Sequence, residues 1–163
     1  MSPAATPHPA APQTGVLTRL WRLAPADRVL LCEAFFLTGL ASAALRVMPF
    51  KVIGRIAAVP LAGGAPDPAT RAALVHKVRW AVAASARRSP WRALCFEQGL
   101  AAQVMLRRRG IASTLYFGAR RDDASEVTAH VWVRDQDRDV IGCEDAPRFA
   151  VLASWPPTAG TSA

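Results

Sequence analysis

Apolar residues recur at helical spacing through roughly the first two thirds of the chain and at two-residue alternation in the last third, which predicts helices followed by a small sheet. Val16 to Leu23 places Leu17, Leu20 and Trp21 on one face of a short helix. Val29 to Met48 is apolar almost throughout and predicts a long helix, with Pro25 at its start and Asp27 in its first turn. Pro49 stops it, and Phe50 to Val59 predicts another short helix before Pro60. Leu61 to Pro68 reads as a loop. Asp67 or Thr70 can cap the next helix, which carries Leu74, Val78, Trp80, Ala81 and Val82 and runs to about Arg88. Ser89-Pro90 then signals a helix start, followed by Phe96, Leu100, Val104 and Met105 at helical spacing. Arg107, Arg108 and Arg109 suit its negative end, and Gly110 stops it.

The period changes after Gly110. Ile111 to Phe117 and Val127 to Val133 are rich in β-formers, separated by a polar loop from Gly118 to Glu126. Alternation puts His130, Trp132 and Arg134 on one strand face. Asp135 to Arg138 reads as a hairpin turn and Asp139 to Gly142 as the returning strand. Phe149, Val151, Leu152 and Trp155 are apolar enough to pack on that sheet. Residues 1–15 are rich in Pro and Ala without apolar periodicity and read as a disordered tail, as do residues 156–163. One domain is expected over 16–155, its part 16–88 helical and its part 89–155 carrying the chemistry, with no internal repeat.

Composition changes this picture little. The chain has 163 residues, 52% of them hydrophobic, enough for a real core. Its net charge of +8 invites a nucleic-acid partner. However, only Lys51 and Lys77 are lysines, and the arginines and alanines together look like the codon bias of a GC-rich genome. No basic stripe interleaves with aromatics, so no nucleic acid is expected. Cys32, Cys95 and Cys143 are odd in number, widely separated and without a C-x-x-C. That argues against a disulfide framework or a zinc site and fits a reducing cytoplasm. No basic segment followed by an apolar core opens the sequence, so no secretory signal is expected. The stretch 29–48 is long enough to span a bilayer, but Glu33 inside it and Arg46 near its end favour a helix buried by the domain. Peripheral membrane contact through this helix and Arg19, Arg22 and Arg28 stays open.

Cys95 lies in the early turns of its helix, where the N-terminal partial charge favours a thiolate. His130 stands on a following strand, so the two supply a thiol nucleophile and its base. Cys32 and Cys143 read as small buried hydrophobes, and His8 and His76 carry no chemistry.

Three segments, Cys95-Phe96, Leu106 to Ile111 (LRRRGI) and Ala129 to Val133 (AHVWV), resemble the transglutaminase-like cysteine peptidases of lasso peptide biosynthesis. The pattern there reads roughly Cys-Leu, LRRxGI and AHAWV, and the likeness is greatest to the stand-alone peptidase subunit, the B2 protein of such systems. It covers about Val16 to Trp155. The resemblance implies an α+β fold of the papain/transglutaminase kind, a helical N-terminal half followed by the Cys helix packed on a small antiparallel sheet. It implies a cysteine peptidase that removes the leader from a ribosomally made precursor peptide through an acyl-enzyme, with no metal or organic cofactor. A separate leader-binding protein is implied, because the N-terminal half lacks the strands of the fused leader-binding domain. A separate ATP-dependent macrolactam synthetase is implied too, because no phosphate-binding loop is present.

The family's triad acid, an Asp about a dozen residues past the His, is where this sequence departs, since Gly142 stands there. Asp145 faces His130 if the turn is the two residues Asp137-Arg138 and is the favoured third member of a Cys95-His130-Asp145 triad; Glu144 is the alternative, facing it if the loop is Gln136 to Arg138. Asp139 lies nearer the turn. Two other readings stay open: a transglutaminase-like acyl transferase using the same residues, and a non-catalytic, membrane-associated scaffold.

Overall fold

Four helices precede a four-stranded antiparallel sheet in this computed structural model, which describes residues 21–59, 63–121, 126–136 and 138–158. The expected tail 1–15 and most of the expected helix at 16–23 lie outside those residues. Helix α1 spans Pro25–Val47, with Pro25 and Asp27 in its first turn and Arg46 in its last. Its inner face is mostly small: Leu30, Ala34, Thr38, Ala41 and Ser42 are buried. The short α2, Phe50–Ala57, follows Pro49. Helix α3, Pro68–Ala86, is capped by Asp67, whose carboxylate accepts from Ala69 N at 3.0 Å and Thr70 N at 3.1 Å. Ala81, Ala84 and Ser85 are buried on α3, and it packs against α1 closely enough for Ser85 Oγ to donate to Leu31 O at 3.2 Å.

Helix α4, Cys95–Arg107, is the centre of the fold, packing on α1, α3 and strand β2. It carries Gly99 where a Cβ would stand 2.6 Å from Val131 Cγ1, so only glycine lets helix and sheet approach this closely. Glu33, the carboxylate inside apolar α1, is taken up at the far end of α4 by Arg109 Nη2 at 2.5 Å and Arg108 Nη1 at 3.4 Å. A carboxylate that would be costly in lipid is satisfied inside the domain. Gln103 is fully buried. Its Nε2 donates to Ser113 O at 3.0 Å and Trp155 O at 3.1 Å, and its Oε1 accepts from Ser113 Oγ at 2.8 Å, tying α4 to two strand ends.

Strands β1 (Thr114–Arg121), β2 (Val127–Asp135), β3 (Arg138–Ile141) and β4 (Ala150–Trp155) lie in the order β3-β2-β1-β4. The fold class is α+β, and β1 and β2 pair with His130 opposite Gly118. Three expectations shift. Strand β1 reaches Arg121, into the stretch expected as loop. The apolar C-terminal segment is itself a strand, β4, on the free edge of β1. The hairpin pairs Asp135 with Arg138 and Arg134 with Asp139, then slips one residue to pair Val133 with Ile141. Neither expected turn occurs: the connection is residues 136–137, with Gln136 at φ 53°, and the slip is a bulge near Val140.

Candidate active site

Cys95 is the first residue of α4, not part of a helix begun at Ser89-Pro90. Ser89 Oγ turns back to donate to Ser85 O at 2.8 Å and closes α3 instead. The chain before Cys95 is tied from within α4, Glu97 Oε2 accepting from Leu94 N at 3.0 Å and Gln98 Nε2 donating to Ala93 O at 2.8 Å. These two bonds fix how Cys95 enters the helix.

His130 is held from three sides. Its ring lies 5.9 Å from that of Trp132 at 21° and 4.9 Å from that of Phe149 at 31°. Its Nε2 is 2.7 Å from Gly142 O. A carbonyl only accepts, so Nε2 carries a proton, and Nδ1 is the ring nitrogen left for base chemistry. Gly142 has φ +71°, and a Cβ there would stand 2.7 Å from Val131 O, so glycine alone aims this carbonyl without strain.

Cys95, Gln98, His130, Val131, Gly142 and Glu144 are among the residues lining one hollow of about 330 Å³, with Arg79 of α3 opposite. Among the described residues no hydrogen bond joins the Cys95 thiol to the His130 ring. The three candidate acids are all engaged elsewhere. Asp145 is exposed and meets Arg148 Nη1 at 3.4 Å. Asp139 accepts from Arg134 Nε at 2.9 Å. Glu144 lines the hollow, but its carboxylate meets Arg79 Nη2 at 2.6 Å. The group on the imidazole is the carbonyl twelve residues on, at the position where the resemblance expects an Asp. Among the described residues no cluster of His, Cys, Asp and Glu could hold a metal ion.

The helix start does not leave Cys95 as a thiolate. Burial pushes its thiol up, and the lowering by the backbone N–H groups of Val131, Phe96 and Cys95 does not cancel that. Cys143, buried with its thiol directed at Val133 O, is pushed up to about 11. Iodoacetamide at pH 7 is therefore expected to modify exposed Cys32 first, Cys95 slowly and Cys143 not at all in the folded chain. The rate at Cys95 should rise about tenfold per pH unit through the ordinary thiol range. Peptide mass spectrometry reads the order, and Cys95 outpacing Cys32 at pH 7 would mean a preformed thiolate.

Sequence reasoning met Gly142 only as the place of a missing acid and Phe149 only as an apolar residue packing on the sheet, and it gave no role to Gln98 or Arg79. The alternation that put His130 and Trp132 on one strand face holds, and the ring of Tyr116 on β1 stacks on Trp132 at 5.6 Å. The profile of the transglutaminase-like superfamily matches residues 40–154, more than two thirds of the chain. No curated protein and no solved structure matched it.

Proposed function

The chain belongs to the transglutaminase-like superfamily, and from that premise we propose that it is a cysteine peptidase removing the leader from a ribosomally made lasso precursor peptide. The observation that carries the reading is the hollow shared by Cys95 and His130. Because the thiol is protonated at rest, His130 Nδ1 takes its proton as Cys95 Sγ attacks the scissile carbonyl carbon. Backbone N–H groups at the start of α4 meet the developing oxyanion. The C–N bond then breaks, with the Nδ1 proton passing to the leaving amine. A water gives its proton to Nδ1 and attacks the thioester, which releases the leader as a carboxylate and restores the thiol.

The Gly142 carbonyl does the orienting that a triad acid would do, without its negative charge. Of the three candidate acids, Glu144 is the one on the hollow's wall and within reach of recruitment if Arg79 lets go. Selectivity would come from a separate leader-binding protein, and ring closure from a separate ATP-dependent macrolactam synthetase. Membership of the superfamily equally supports acyl transfer, in which an amine replaces water at the thioester.

The test is mass spectrometry of a lasso precursor incubated with the chain and a leader-binding partner. A leader fragment ending in a carboxylate is expected. A leader joined through an amide would mean transfer, and an intact precursor with partner binding confirmed would favour the scaffold.

A further inference from the structure

Helix α1 is long and apolar, yet only 28% of its most apolar 18-residue window is buried in the domain. Much of the rest is half-buried, but one line of apolar residues faces out. Val29 is 66% exposed, Phe36 72%, Leu40 65% and Val47 80%, with Cys32 and Ala43 exposed between them. The spacing is that of a single helix face, about 27 Å long at 1.5 Å per residue. Val52 and Ile56 are also exposed on α2, the next helix along the chain. Isolated exposed apolar residues need no explanation, but a continuous strip of this length does.

Charge around the strip is of one sign. Near its start, α1 and α3 enclose an apolar hollow of about 450 Å³ walled by Leu31, Phe35, Phe36 and Trp80, with Arg28, Arg87 and Arg88 around it. These three guanidiniums meet no carboxylate among the described residues. Arg46 and Lys51 stand near the other end. Both acids of α1 are neutralised by pairing, Asp27 with Lys77 at 2.7 Å on the surface and half-buried Glu33 with Arg108 and Arg109. The outward face is left apolar along its length and cationic at both ends.

We propose that this face docks the protein on an anionic lipid bilayer, with α1 lying in the plane of the interface. Its apolar strip would enter the acyl boundary while the arginines meet lipid phosphates. A second copy of this chain does not suit the face, since either orientation of two such strips sets cations against cations. The inference is independent of the chemistry at Cys95.

The test is sedimentation of the full chain with vesicles of phosphatidylcholine alone or mixed about equally with phosphatidylglycerol. The chain is expected to pellet with the mixed vesicles at about 0.1 M salt, to be released at about 1 M, and not to pellet with phosphatidylcholine alone. Leu40→Glu, at an exposed site, should lower the partition at least about tenfold. Arg87→Ala with Arg88→Ala should lower it about 25-fold, at about fivefold per cation. Circular dichroism checks that both variants stay folded. Failure to pellet with either vesicle, or binding untouched by both variants, overturns the proposal. So does a Leu40→Glu variant that shifts from dimer to monomer on gel filtration, which would make the face a contact between copies.

Discussion

Cys95→Ala is expected to abolish release of the leader, with a fall in kcat of at least about 10⁴-fold, while the protein keeps its fold. The size follows from the mechanism. Without sulfur there is no acyl-enzyme, and what remains is whatever the oxyanion contacts and substrate positioning do for direct attack by water. The fold should survive because the change removes only one half-buried sulfur from the first position of α4. His130→Ala should cost about as much, and the double variant no more than either alone, because the two act as one unit. Cys32→Ala, exposed on α1, should cleave at the unmutated rate. Residual cleavage above about one part in a hundred in Cys95→Ala would remove Cys95 from the chemistry.

Cys95 and His130 stood out in the sequence because side-chain letters and spacing carry them. What orients His130 did not, for a physical reason: it is a backbone carbonyl, and every residue has one. Gly142 is visible only as a missing acid until its φ of +71° and the 2.7 Å contact to the ring are known. The choice among Asp145, Glu144 and Asp139 rested on where the hairpin turns. A turn at residues 136–137 combined with a bulge near Val140 is a register that alternation does not reveal.

The fold followed the same division. The helices whose ends are written in side chains, Pro25 with Asp27 for α1 and Asp67 with Pro68 for α3, begin where expected. The start of α4 was misread because Ser89-Pro90 has the chemistry of a helix start, yet its hydroxyl serves the end of α3. Strand β4 was legible as apolar but not as a strand. Val151 and Leu152 are half-exposed on an edge, so burial does not impose a period on it.

The largest expected loss of stability comes from a residue that read only as part of a turn. Asp135 is 1% exposed at the end of β2 and holds Arg71, from the first turn of α3, by two bonds. Nε donates to Oδ2 at 2.8 Å and Nη2 to Oδ1. Asp135→Ala leaves a largely buried guanidinium without its anion, and breaking such a pair costs about 3–5 kcal/mol. In a domain of this size that lowers Tm by roughly 10 °C. Arg71→Ala should cost at least as much, because the carboxylate it strands is the more deeply buried partner. Replacing both, Arg71→Met with Asp135→Leu, should recover most of the loss, since an apolar pair of similar volume avoids the desolvation that the ion pair has to offset. Urea denaturation of the three variants and the unmutated protein measures these differences. The same hairpin carries His130 on one strand and Gly142 just past the other, so cleavage should fall in Asp135→Ala and return in the double variant. A double variant that is stable but inactive would mean that the ion pair sets the hairpin's register, and with it the aim of the Gly142 carbonyl, rather than merely its stability.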